Sequence, residues 1–388
     1  LAWLFVYMVS KLNSRAPSIA DLKRRTQKRI PKFAYQYLVG GCNSDQAVAR
    51  NRHCLDEVAL HPAYLSRAKT ASLATTALGV QYDAPFGIAP LGLSGLIWPK
   101  AAEYHATAAK KANIPYVLST LASTSIEQAA ACAGSNLWFQ LYPPKDQEIR
   151  LDLMQRARQV GCNNLVVTID VPVAGRRPND IKNGLSVPPK ITLNSIYQTL
   201  LRPSWAMATA LNGMPQFANM QPYMNKLSNL EDVANYIRST LKEPVDLAML
   251  KELRQQWTGN LIVKGVLSVE DAKLVASINA DALIVSNHGG RQLDLAHTPV
   301  EMMQEIVEAV GDKLEVFVDS GVESGVDIAR YLALGAKLVF SGRPYMYGVG
   351  AFGKEGADQC IDIFSLELEQ VMNQLGCSSP HELVKFIN

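Results

Sequence analysis

Eight short apolar runs recur between residues 86 and 341, separated by helix-like spacers. They fall at 86–89, 116–120, 137–142, 164–170, 261–264, 282–286, 314–319 and 337–341. The stretches 101–111, 125–131, 146–160, 269–278, 300–310 and 325–334 carry apolar residues at helical spacing. Strands alternating with helices pair in parallel, because each helical connection returns the chain over the sheet. Eight such units predict an α/β chain closed into a (β/α)8 TIM barrel. A doubly wound open sheet is the rival, but it normally shows a Gly-rich turn after its first strand, and none stands here.

Polar residues gather where such a barrel keeps its chemistry. Pro90, Ser119, Gln140, Tyr142, Thr168, Asp170, Lys264, Ser286, Asp319 and Gly342 all fall at or near strand C-terminal ends. Two segments stand outside the alternation. Residues 15–83 hold helix candidates at 19–29 and 31–41. Residues 184–244 form a long insertion between the fourth and fifth strands, rich in apolar and aromatic residues such as Leu193, Tyr197, Leu200, Trp205 and Leu211. One reading makes it a lid packed on the barrel or on a neighbouring subunit; the other makes it a surface that dips into a membrane interface.

At 388 residues and 48% hydrophobic content, the chain can bury a large core, and we read 1–388 as one barrel domain. A net charge of +3 without a basic block argues against a nucleic-acid partner. Six scattered cysteines without a CxxC pair point to structural thiols of a reducing, cytoplasmic compartment, with no metal site. The apolar run at residues 1–9 is too short to span a bilayer and lacks a basic leader; we expect 1–14 to be a non-native or disordered leader.

The run Ser286-Asn287-His288-Gly289-Gly290-Arg291-Gln292-Leu293-Asp294 follows the apolar strand 282–285. It places a base and a cation at one strand tip, on glycines that let the backbone turn and approach a ligand. A proton acceptor beside a guanidinium suits an anionic substrate that must lose a proton.

That motif, with Pro31-Lys32-Phe33-Ala34-Tyr35-Gln36-Tyr37 and Gly40-Gly41, Trp138 to Tyr142, Thr168-Ile169-Asp170, Gly175-Arg176-Arg177, Val263-Lys264-Gly265, Asp319-Ser320-Gly321 and Ser341-Gly342-Arg343-Pro344, resembles the FMN-dependent L-2-hydroxy acid oxidases and dehydrogenases. The resemblance runs from about residue 19 to 383 and implies FMN as cofactor and oxidation of a lactate- or mandelate-like L-2-hydroxy acid to the 2-oxo acid. It implies His288 as the active-site base, with Asp170 pairing its imidazolium. Arg177 and Arg291 are implied as carboxylate ligands, although a one-residue offset would make Arg176 the partner. Tyr37 and Tyr142 are implied to bond the carboxylate and the reacting hydroxyl, and Lys264 to stand near the flavin N1/C2 oxygen. Flavin contacts are expected from Pro90, Leu91, Gly92, Ser119, Gln140, Thr168 and Ser286. The phosphate is expected at Asp319, Ser320, Gly321, Gly342 and Arg343. His288 takes either the α-hydrogen as a proton or the hydroxyl proton while hydride leaves.

Three positions depart from that pattern. Gly92 stands where many members carry alanine, and Leu121 where plant glycolate oxidase has tryptophan, which points to a roomier pocket. Glu323 stands where the family has an arginine on the phosphate; a carboxylate there repels a dianion unless it turns to solvent or another cation compensates. A quinone or other respiratory acceptor is expected, oxygen being the second option. A homotetramer is implied, with peripheral contact to the inner face of the cell membrane through 184–244. A flavin-free barrel with a binding role and an FMN isomerase are the remaining alternatives. His53, His61, His105, His297 and His381 match no motif and are read as surface or packing residues.

Overall fold

The computed structural model describes residues 14–62, 64–65, 70–185, 192–224, 236 and 244–387. The expected leader, apart from Ser14, and segments 186–191, 225–235 and 237–243 of the insertion lie outside the described residues.

A hairpin of β1 (Thr75–Ala77) and β2 (Val80–Tyr82) precedes eight parallel strands. These are β3 (Phe86–Ile88), β4 (Tyr116–Ser119), β5 (Leu137–Leu141), β6 (Asn164–Thr168), β7 (Asn260–Val266), β8 (Ala282–Val285), β9 (Glu315–Val318) and β10 (Leu338–Ser341). They pair in sequence order, and β10 returns to β3 to close the barrel. All eight expected strands are present, with ends displaced by at most two residues. Both faces of each strand are covered, so the strands read as continuous apolar runs and their alternation emerges only in three dimensions.

That alternation builds the site. Along β5, Leu137, Phe139 and Leu141 belong to the shell between strands and helices, whereas Trp138 points into the barrel. Val117, Val166, Ile262, Ile284 and Phe317 share the interior with Trp138. Two residues further along each of these strands stand Ser119, Gln140, Thr168, Lys264, Ser286 and Asp319, all buried. A strand returns to the same face every second residue, so an apolar plug carries a polar ring directly above it. The hairpin closes the opposite end, where Tyr82 Oη accepts from Trp138 Nε1 at 3.1 Å and the Leu78 amide donates to Glu315 at 2.9 Å.

Ahead of the hairpin lie α1 (Ile19–Arg29), α2 (Lys32–Val39) and α3 (Gln46–Glu57). A capping box of Ser18 and Asp21 starts α1. Its Thr26 hydroxyl donates to the Tyr347 carbonyl at 2.6 Å, docking it on the helix Arg343–Phe352 that follows β10. The sequence spacing names neither α3 nor any helix after residue 341, yet Arg343–Phe352 and Lys354–Leu375 are both helical. α3 buries only Ala47, Asn51 and Leu55, a stripe too thin and too polar to register as amphipathic.

The insertion carries helices Leu193–Leu200 and Pro203–Asn212. Trp205 anchors them, donating to the carbonyl of Leu96 at 3.1 Å and meeting Phe33 edge-on at a centroid distance of 5.8 Å. Their outer side stays apolar and exposed: Leu193, Leu200 and Leu211 keep 86%, 72% and 80% of their surface in solvent. Among the described residues, no helix is long and apolar enough to cross a membrane.

Candidate active site

At the C-terminal mouth, His288 and Asp170 meet. His288 Nδ1 lies 2.9 Å from Asp170 Oδ1, and the Tyr142 hydroxyl lies 3.3 Å from His288 Nε2. With Nδ1 committed to the carboxylate, Nε2 is the nitrogen available to a reacting group. Burial alone would raise the Asp170 carboxyl, but the His288 charge and hydrogen bond outweigh it, and the group sits below its ordinary value. Burial, with the Asp170 charge next, pushes the Tyr142 phenol up, so it stays a donor. Asp170 reaches the histidine because residue 265 is glycine. Gly265 occupies a register break in β7 at φ 104°, and a Cβ there would lie 2.7 Å from the Asp170 side chain.

His288 itself sits on an unusual backbone. His288, Gly289 and Gly290 all have positive φ, at 58°, 64° and 75°. Such a run persists only where its surroundings over-determine it, and here each amide is caught. His288 N donates to Ser286 Oγ at 3.0 Å, Gly289 N to Ser320 Oγ at 3.0 Å and Gly290 N to Asn287 Oδ1 at 3.2 Å. The Asn287 side chain exchanges two hydrogen bonds, 2.9 and 2.6 Å, with Asn51 of α3. Asp294 closes the motif by accepting from the Ala47 amide at 2.8 Å and the Ser44 amide at 3.1 Å at the start of α3. Arg52 of the same helix holds the Gly321 carbonyl at 2.7 Å. Sequence reasoning assigned no role to Asn51, Asn287, Asp294 or Arg52. Asn287 and Asp294 lie inside the quoted 286–294 motif, whereas Asn51 and Arg52 are signalled only as polar residues on a weakly apolar helix.

Two guanidiniums, Arg177 and Arg291, act electrostatically on the Tyr142 phenol that contacts this base. Arg291 donates to the carbonyls of Tyr37 at 2.9 Å and Gly40 at 2.7 Å, with its guanidinium carbon 5.1 Å from the centre of the Tyr37 ring. Burial first, then the Arg177 charge, pulls Arg291 down to about 9. It remains a cation at neutral pH, and the local field favours an incoming anion. Arg177 lies 3.7 Å from Asp180, and its buried Nε has no partner among the described residues. Arg176 is exposed, whereas Arg177 is partly buried. Gly175 brings the two arginine loops together: a Cβ there would lie 2.5 Å from the Arg291 carbonyl.

The polar ring supplies the rest. Lys264 Nζ is held by Asp319 Oδ2 at 2.5 Å and Ser286 Oγ at 2.6 Å. Ser119 Oγ donates to Gln140 Oε1 at 3.0 Å. Gln140 Nε2 and Thr168 Oγ1, on adjacent strands, are buried without partners among the described residues. Two unsatisfied polar groups on one face of a barrel mouth fit a ligand rich in hydrogen-bonding edges. Pro90, Leu91 and Gly92 follow β3, and a Cβ on Gly92 would meet Leu121 at an ordinary 3.6 Å. The helix Arg343–Phe352, entered from Gly342, has no side-chain cap, which leaves its first amides suited to an anion. Arg343 itself is turned to the carbonyls of Leu38, Gly289 and Gly40 at 2.9–3.2 Å. Glu323 is compensated by Lys23 of α1, 3.5 Å away.

The other histidines stay apart from this group. His105 is buried, its Nε2 3.1 Å from the Tyr345 carbonyl, and burial takes it down to about 4. His53 and His297 pair with Glu57 and Glu301 within one helical turn. All six cysteines are free thiols.

A histidine–aspartate pair, two guanidiniums and a polar ring that includes the buried Lys264 thus gather at the barrel mouth, and comparison with known proteins shows the class of protein. The family model described as FMN-dependent dehydrogenase matches residues 26–387, and the chain belongs to that family. It is 36% identical over 360 residues to the L-lactate dehydrogenase of Caulobacter vibrioides strain NA1000 / CB15N, covering 92% of this chain and 94% of that one. It is 34% identical over 367 residues to the L-lactate dehydrogenase of Pseudomonas syringae pv. syringae strain B728a, covering 94% and 96%. Among solved structures, the monotopic membrane protein (S)-mandelate dehydrogenase superposes with a TM-score of 0.90 at 35% identity, over 96% of this chain and 98% of that one. A mandelate oxidase superposes at 0.81 and 33%, over 94% and 96%. FMN is therefore the cofactor, and the flavin-free alternative falls.

Proposed function

We propose that this FMN-dependent dehydrogenase oxidises a lactate- or mandelate-like L-2-hydroxy acid to the 2-oxo acid. The observation that carries the reading is the anion seat: Arg177, whose buried Nε has no partner among the described residues, and the desolvated Arg291 both act on the Tyr142 phenol that contacts His288 Nε2. A carboxylate next to a carbon bearing a hydroxyl group satisfies all three at once.

In this reading Arg177 and Arg291 bind the carboxylate, with Tyr37 beside them. The Tyr142 phenol donates to the reacting oxygen. His288 Nε2 takes the proton that the substrate releases, and Asp170 holds the ring in register and stabilises the resulting imidazolium. FMN, when bound, accepts the electrons. Ser119, Gln140, Thr168 and Ser286 would hold its ring system with the backbone of 90–92, and Lys264 would stabilise negative charge at the ring's pyrimidine edge. Ser320, Gly321, Gly342 and Arg343 would hold the ribityl phosphate through backbone amides and the helix N-terminus, whereas the Asp319 amide is taken by the Val285 carbonyl at 3.1 Å. Lys23 offsets Glu323 at that end.

For the electron acceptor we favour a quinone reached at a membrane surface. The exposed apolar side of the helices at 193–212 supports this, as does the monotopic character stated for the mandelate dehydrogenase neighbour. A homotetramer remains part of the proposal. Anaerobic mixing with L-lactate, L-mandelate and glycolate, followed by flavin absorbance, tests the reaction. Bleaching by a 2-hydroxy acid supports it; an oxidised spectrum with every acid tried refutes it. Reoxidation faster with a quinone in vesicles than with oxygen supports the acceptor, and the reverse assigns an oxidase.

A further inference from the structure

We propose that Ser320 is a positioning residue whose hydroxyl couples the Lys264–Asp319 ion pair to the loop that carries His288. Ser320 has φ 84°, in the left-handed region that a non-glycine residue rarely occupies. Glycine would relieve that strain, so the side chain needs a reason to be there. Its backbone is fixed in that conformation, since the buried Tyr331 hydroxyl donates to the Ser320 carbonyl at 2.9 Å.

The conformation aims the hydroxyl at two targets. Ser320 Oγ donates to Asp319 Oδ1 at 2.9 Å and accepts from the Gly289 amide at 3.0 Å. The other Asp319 oxygen, Oδ2, holds Lys264 Nζ at 2.5 Å. A continuous chain therefore runs from Lys264 through Asp319 and Ser320 to the residue after His288. A second route, from Lys264 through Ser286 Oγ to the His288 amide, closes a ring. Two groups on different strands, a cation and a base, are thereby locked to one another with no side-chain contact between them in the ring.

Removing the hydroxyl has two consequences. Asp319 loses a donor, concentrates its charge on Lys264 and leaves less positive potential for the bound ring system. Gly289 loses its acceptor, and one of the three ties on the left-handed loop under His288 is gone. The inference rests on the reading of Lys264 as the cation facing FMN and His288 as the base.

Ser320→Ala and Ser320→Gly in the FMN-loaded protein form the test. Both should lower the midpoint potential of the bound flavin, measured by reductive titration without substrate. Both should slow substrate reduction of the flavin about tenfold, the scale of one lost hydrogen bond, while KM stays near the parent value because the arginines are untouched. The glycine variant should melt above the alanine variant, since only alanine keeps the backbone strain. If potential and reduction rate hold in both variants and only melting temperature moves, or if glycine restores what alanine loses, the hydroxyl is structural and the proposal falls. If the parent flavin is not reduced by any 2-hydroxy acid, the reaction assignment fails by itself, while the substrate-free potentials still decide the role of Ser320.

Discussion

Two layers of the same barrel, one strand repeat apart, differ in everything but their geometry. Val117, Trp138, Val166, Ile262, Ile284 and Phe317 fill the interior with apolar contact. Directly above them, Ser119, Gln140, Thr168, Lys264, Ser286 and Asp319 form a polar ring with one ion pair, short hydrogen bonds and two groups without partners among the described residues. The lower layer is self-sufficient, and its aromatic members Trp138, Phe317 and Phe340 pack within 5.5–6.2 Å of one another. The upper layer is incomplete without a ligand. Stability and chemistry are thus separated by two residues along each strand, which is why a fixed plug can carry a demanding site.

Substitutions in each layer should therefore fail differently. The largest expected effect is at the mouth. His288→Gln should keep the yellow colour of bound FMN yet cut flavin reduction by substrate about a thousandfold or more, as loss of a general base does. Unchanged single-turnover rates would remove His288 from the role of base. In the plug, Trp138→Ala should lower stability by about 3–5 kcal/mol through the cavity it leaves. Denaturant unfolding reads this directly, and activity per folded molecule should hardly change. Arg177→Met should weaken kcat/KM about a hundredfold, the scale of a lost charged hydrogen-bond pair, with flavin affinity preserved. A parallel loss of flavin would show that the polar ring and the anion seat are not separable. Glu323→Arg should tighten FMN in a fluorescence titration of the apoprotein; no change would move the phosphate away from that loop.

The smallest effect is on pH dependence. The Asp170 carboxyl lies below its ordinary value, so it adds stability above the unfolded value of about 3.9 and loses it as pH falls through the lower folded value. The melting-temperature gap between the parent and Asp170→Asn should be widest near neutrality and shrink below about pH 4. A gap that widens in acid would mean that burial, not the histidine, controls this carboxylate.

The barrel was legible because its strands are short apolar runs bounded by polar residues, and a strand's end is where its chemistry lies. His288 and Arg291 stood out because Gly289 and Gly290 lie between them, whereas the roles of Asp170 and Arg177 were expected only from the family resemblance. What escaped was the scaffold around them. α3 buries one asparagine and two small or aliphatic residues, so no hydrophobic period marks it, yet Asn51 and Arg52 hold both loops of the site. The hairpin strands are three residues each, too short for a pattern to emerge. Gly265 stood in a quoted motif, but its use as space for Asp170 depends on a register break that only pairing reveals.

The site stands or falls on whether the imidazole of His288 and the guanidiniums of Arg177 and Arg291 converge on one small anion above the polar ring. An experimental structure of the FMN-loaded protein with a bound 2-oxo acid tests it most directly. The carboxylate should lie within hydrogen-bonding distance of both arginines, with the neighbouring oxygen beside His288 Nε2. A carboxylate seated elsewhere, with those arginines facing away from it, would contradict it.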